Sequence, residues 1–204
     1  MLTCAGVVGA LAATRAGARS AYAASKALAS LGFIGTAVAV GASGAPWSRV
    51  ALLGLVLAAV GDVALATKSK FGFLVGLGLF ALAYSTYVVA FGLRGTQGAV
   101  LGVTAGVVAL GAGIAWVTLH DLVPHRMQIP VGVYLVILAS MLALGTAVGI
   151  THRTWLLTMG VALVAGSDIA VGRERFGTPG FVNKAFGLPT YYAGQILIAL
   201  SLAG

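Results

Sequence analysis

The chain has 204 residues, 60% of them hydrophobic and only 8% charged, with a formal net charge of +8. Soluble domains carry charge on about a quarter of their residues, so these figures and a mean hydropathy of +1.05 exclude a soluble globular fold and indicate an integral membrane protein. The Lys and Arg residues come in ones and twos between apolar runs, the pattern of loops beside an anionic leaflet, and this excludes a nucleic-acid surface.

A helix crosses the hydrocarbon core with roughly 20 apolar residues. That length predicts an all-α polytopic protein of about eight transmembrane helices, near 2–14, 21–42, 49–67, 71–92, 97–119, 129–149, 154–172 and 185–203, with no strands. The first segment, MLTCAGVVGALAAT, has no basic residue ahead of its apolar run and does not read as a cleaved signal. It is short, which suits thinned bilayer or a start further upstream. The second carries Lys26 about a turn inside its entry, and the third ends in GDVALATKSKFG, with Asp62. Tyr84 and Tyr87 lie on the fourth. The glycines of LVGLGLF in the fourth and VLGVTAGVVALGAG in the fifth are read as packing surfaces, because small residues let helix backbones approach closely in a bilayer. Tyr134 opens the sixth, the seventh ends in SDIAVGRERFG with Asp168, and the eighth carries Tyr191, Tyr192 and Gln195. The lone Cys4 excludes an intramolecular disulfide, and His120, His125 and His152 fall at or near loops without metal-ligand spacing, so neither metal nor cofactor is expected.

Charge sets the orientation. Arg15, Arg19, Lys68, Lys70, Arg126, Arg173, Arg175 and Lys184 lie in the loops after the odd-numbered helices, against Arg49, Arg94 and Arg153 in the others. The positive-inside rule then makes the first set cytoplasmic and turns both termini outward. At about 1.5 Å per residue, Asp62 and Asp168 sit roughly 7 to 9 Å inside the cytoplasmic ends of their helices. Lys26, Tyr134, Tyr191 and Tyr192 enter from the same side, which predicts one polar layer in the inner leaflet. An Ala-Gly-Arg-rich composition suggests a bacterial inner membrane.

The two acid-bearing segments nearly repeat each other. Each sets one Asp in an apolar run, follows it with two basic residues and closes on Phe-Gly, and Phe71 and Phe176 precede Tyr87 and Tyr192 by the same interval. Two parallel four-helix halves, 1–95 and 96–204, would meet about an axis along the membrane normal with the site between them. An Asp at the centre of a membrane helix costs about 2.5 to 3.5 kcal/mol, so a pair of them points to function. The plainer reading is that they pair with Lys26 or cap neighbouring helices.

GDVALATKSKFGFLVGLGLF, VALVAGSDIAVGRERF and PTYYAGQILIALS resemble the signature segments of the YhhN-like membrane proteins, the lysoplasmalogenase family, and the resemblance spans Lys26 to Ser201. It implies eight helices and hydrolysis of the vinyl ether bond of 1-alkenyl lysophospholipids to a fatty aldehyde and a glycerophospho-base. It places the family's two acids on Asp62 and Asp168, its final tyrosine and glutamine on Tyr192 and Gln195, and its early lysine on Lys26. The chain departs from the family in reading Lys26-Ala27 for Lys-Pro and Tyr84 where a histidine is common.

That chemistry suits the residues. A vinyl ether is cleaved by protonating its outer alkene carbon, and the resulting oxocarbenium ion is attacked by water. One protonated and one ionised carboxyl supply the acid and the base, as in glycoside hydrolysis. Asp62 and Asp168 are thus the candidate catalytic pair. Lys26, Tyr84, Tyr87, Tyr134, Tyr191, Tyr192 and Gln195, with Lys68 and Arg173 at the inner interface, are the candidates for binding a lysophospholipid drawn from membrane lipid. A homodimer is left open. So are a proton-coupled transporter and an inactive relative, because paired membrane acids and parallel repeats serve a carrier equally well.

Overall fold

The computed structural model describes residues 1–67 and 69–203. Its helices are α1 (Leu2–Arg15), α2 (Arg19–Ala39), α3 (Pro46–Ala66), α4 (Lys70–Arg94), α5 (Gly98–Leu119), α6 (His125–Thr151), α7 (Trp155–Phe176) and α8 (Phe181–Leu200), with a 3-10 turn at His120–Leu122 between α5 and α6. Among the described residues there is no strand. The connections are short because their residues suit tight turns. Gly17 and Gly95 take φ of 68° and 79° after α1 and α4, values that cost a residue without a Cβ little. Pro46 opens α3, where its missing N–H costs nothing, and the Ser69 hydroxyl accepts the Gly72 N–H at 2.8 Å to start α4.

Six helices, α2 through α7, are long and apolar enough to cross a membrane, and the chain is an integral multi-pass membrane protein. Two of the eight expected spans fall outside that set. The α1 helix has only 14 residues, whereas α8 has 20 and is diluted by polar residues. Its Tyr191, Tyr192 and Gln195 are buried in the bundle, whereas Asn183 and Lys184, in its first turn, are half-buried beside Glu174.

Helices pack as the hairpins α1–α2, α3–α4, α5–α6 and α7–α8, joined by α2 on α3, α6 on α7, α4 on α6 and α2 on α8. These pairs map onto one another when α1–α4 is laid over α5–α8, but α1 also packs on α8, which departs from that correspondence. Between α7 and α8 the close approach is glycine on glycine. A Cβ on Gly194 of α8 would lie 2.8 Å from the Gly160 carbonyl oxygen of α7, and one on Gly160 would lie 3.0 Å from the Gly194 oxygen.

The glycines of α5 behave otherwise. Around Gly102, Gly106, Gly111 and Gly113 a Cβ would meet nothing within 4 Å, as at Gly78 of α4, whereas Gly76 is closed off by Leu65. The expected packing surface on α5 therefore does not form within the chain. This helix packs chiefly on α6, and Val103, Val107, Leu110 and Val117 stand exposed along it.

Candidate functional site

Asp62 lies near the end of α3 and is 2% exposed, while Lys26, about two turns into α2, is 4% exposed. Their charged atoms meet at 3.0 Å. Two hydroxyls complete the shell: Ser30 Oγ donates to Asp62 Oδ2 at 2.8 Å, and Tyr192 Oη of α8 donates to the same oxygen at 3.1 Å. Tyr192 Oη also lies 3.2 Å from the Lys26 carbonyl oxygen. A carboxylate removed from water is tolerated only when a cation and hydrogen-bond donors replace its solvation, and Asp62 has both.

Asp168, the counterpart on α7, has a different shell. It is half-buried, and its Oδ2 accepts hydrogen bonds from Tyr134 Oη of α6 at 2.7 Å and Tyr84 Oη of α4 at 3.1 Å. No ion pair forms at Asp168 among the described residues. Each acid is therefore met by the second helix of its own group of four and the fourth helix of the other: α2 and α8 at Asp62, α6 and α4 at Asp168. The neighbouring Ile169 of α7 and Val133 of α6 are 63% and 56% exposed, and Val63 beside Asp62 is 46% exposed, so each acid-bearing helix also presents an apolar face to the outside of the bundle.

Aromatic rings and one amide fill the space between the two acids. Tyr191 stands edge-on to Tyr192 with centroids 4.9 Å apart and edge-on to Phe80 at 5.7 Å, and Phe80 lies 6.0 Å from Tyr84. Tyr84 in turn neighbours Tyr87 at 6.5 Å and Tyr134 at 5.7 Å. Tyr87 Oη donates to Gln195 Oε1 at 2.8 Å. Tyr191 Oη and Gln195 Nε2 are buried without a hydrogen-bond partner.

Of the residues selected from sequence, Lys26, Asp62 and Tyr192 meet at one carboxylate, Tyr84, Tyr134 and Asp168 meet at the other, and Tyr87, Tyr191 and Gln195 lie between. Arg173 is not brought to the cluster; it is exposed at the end of α7. There Glu174 accepts from Gly180 N–H at 2.8 Å and meets Lys184 at 3.0 Å, tying α7 to α8. Lys68 lies outside the described residues. Sequence reasoning missed Ser30. Its signal was its place one turn after Lys26, which puts both side chains on one face of α2. The Tyr84 hydroxyl occupies a position where it donates to Asp168, so the departure from histidine keeps a hydrogen-bond donor there. No cluster of three or more potential metal ligands occurs among the described residues.

A family model described as the YhhN family matches residues 21–202. The chain belongs to the YhhN family. The YhhN match takes in α2 through α8 and so every residue of the cluster just described. Lysoplasmalogenase TMEM86A of Bos taurus is 31% identical over 156 residues, covering 73% of this chain and 63% of the relative. Lysoplasmalogenase TMEM86B of Homo sapiens is 34% identical over 147 residues, covering 72% of this chain and 60% of the relative. The chain thus spans about 63% of the length of the TMEM86A relative it matches. No solved structure matches this YhhN chain.

Proposed function

We propose that the protein is an intramembrane hydrolase that cleaves the vinyl ether bond of 1-alkenyl lysophospholipids, with Asp168 as general acid and Asp62 as the anionic partner. The observation that carries this reading is the unequal pairing of the two carboxyls. Asp62 is sealed in an ion pair with Lys26, 3.0 Å between the charged atoms. Asp168 has two tyrosine donors and no ion-pair partner among the described residues, and it is half-buried where Asp62 is 2% exposed. A carboxyl held only by hydroxyl donors is free to give up a proton without breaking an ion pair.

The chemistry follows from that division. Asp168 delivers its proton to the outer alkene carbon, and the remaining electron pair of the ether oxygen forms the oxocarbenium ion. Asp62 stabilises that cation across the site and takes a proton from the water that adds to it. The resulting hemiacetal collapses as Asp62 returns its proton to the leaving glycerol oxygen and Asp168 recovers one from the hemiacetal hydroxyl. The sum is vinyl ether plus water to aldehyde plus alcohol, with both side chains restored. Tyr84 and Tyr134 steady the Asp168 carboxyl and stabilise the anion left after it gives up its proton.

Two equivalent groups of four helices, each lending one acid, supply the frame, with the site in the cytoplasmic half and both termini outward. The test is aldehyde release from a 1-alkenyl lysophosphoethanolamine by the purified protein, with Asp168→Asn beside it. Release by the wild type alone supports the assignment. Silence from a folded wild type, followed by proton flux in liposomes, would replace it with a carrier.

A further inference from the structure

The structure points to a water-holding pair. We propose that Tyr191 Oη and Gln195 Nε2 together bind and orient the water that attacks the oxocarbenium ion, an inference that rests on the vinyl ether reading above.

Both groups are buried, Tyr191 at 7% exposure and Gln195 at 0%, and neither atom has a protein partner. A buried polar atom left unpaired costs roughly 1 to 3 kcal/mol, so native structures satisfy such atoms, commonly with a bound water. The two side chains are four residues apart on α8 and therefore on one helix face. Their surroundings fix where that face looks. The Tyr191 ring stands against Tyr192 on one side, centroids 4.9 Å apart, and against Phe80 on the other at 5.7 Å, with Tyr84 6.0 Å beyond Phe80. Tyr192 is bonded to Asp62 and Tyr84 to Asp168, so the Tyr191 ring lies between the partners of the two acids.

Gln195 is held by Tyr87 Oη at 2.8 Å. Reversing its amide would offer an oxygen in place of the nitrogen, and either end can hold a water, which both donates and accepts. A single water on these two groups has two fixed partners and one remaining proton free for Asp62. Tyr191 and Gln195 are then positioning residues: they touch the nucleophile, and the proton chemistry stays with the two Asp side chains.

Tyr191→Phe removes one hydroxyl that bonds no protein atom, so a merely structural role would leave catalysis alone or show in stability. The expected result is a kcat lower by roughly 10- to 100-fold with KM and melting temperature unchanged. Gln195→Met should do the same to kcat. Methanol added at fixed concentration adds a second readout, since it traps the same cation as a mixed acetal. The variants should divert a larger share of turnover to acetal than the wild type, because water has lost its held position. An unchanged kcat would overturn the proposal, and so would a raised KM with kcat intact, which would assign the pair to lipid binding. A high-resolution structure of the wild type in nanodiscs gives a reading independent of turnover. It should show an ordered water within hydrogen-bonding distance of both groups, and its absence would overturn the proposal even for an active enzyme. A wild type that cleaves no 1-alkenyl lysophospholipid but holds this water would overturn the hydrolase reading and with it the water's role as nucleophile, leaving only the bound water itself.

Discussion

The Lys26–Asp62 pair invites the most demanding test of the physical account. Replacing Lys26 with Met keeps most of the side-chain volume and removes the cation 3.0 Å from Asp62 Oδ1. At that distance and an effective dielectric of about 20, the lost Coulomb attraction is about 5 kcal/mol. Part of this is offset because Lys26 no longer has to be desolvated, and Ser30 and Tyr192 still donate to the carboxylate. Breaking a buried pair from one side costs about 3 to 5 kcal/mol in general, and the Lys26→Met variant should fall in that range. Asp62→Asn strands the lysine and should cost a similar amount. The double variant buries no charge, so its loss should be smaller than the sum of the singles by at least about 2 kcal/mol. Reversible unfolding of all four proteins in one detergent or lipid system measures the cycle. Single variants within about 0.5 kcal/mol of wild type, or a double variant equal to the sum, would refute the claim that a desolvated ion pair anchors α2 to α3.

Other outcomes follow from the same geometry. Asp168→Asn should retain the fold and lose aldehyde formation by at least about 100-fold, measured by product release beside a thermal melt. Tyr134→Phe removes the shorter of the two bonds to Asp168 and should lower kcat by roughly 10-fold with little change in KM, read from steady-state kinetics. Ser30→Ala deprives Asp62 of its 2.8 Å donor and should cost about 1 to 3 kcal/mol in denaturant unfolding. Glycine replacements should divide sharply. A Cβ on Gly194 meets the Gly160 carbonyl oxygen at 2.8 Å and Val164 N at 2.9 Å, so Gly194→Ala must push α7 and α8 apart and lower the melting temperature. Gly102→Ala points into open space and should leave stability equal or higher by up to about 1 kcal/mol.

Membrane class, the number of helices and the two acid positions were legible in the sequence by itself, because each is a local property. Hydrophobic length sets a helix, and an Asp inside an apolar run is costly wherever that helix lies. The near-repeat around Asp62 and Asp168 was legible for the same reason, being a comparison of one stretch of chain with another. What the two acids touch was not. Lys26, Ser30 and Tyr192 reach Asp62 from α2 and α8, and Tyr84 and Tyr134 reach Asp168 from α4 and α6. In a bilayer the hydrophobic effect does not choose which helix faces meet; packing of small residues and interhelical hydrogen bonds do. The same limit explains α5, whose glycines look in sequence like those of α8. Only helix placement decides that Gly194 lies against Gly160 while Gly102 and Gly106 face open space. The division of labour between the carboxyls belongs to the tertiary structure as well, since sequence lists two equivalent acids and only their partners, one a cation and the other a pair of hydroxyls, make them unequal.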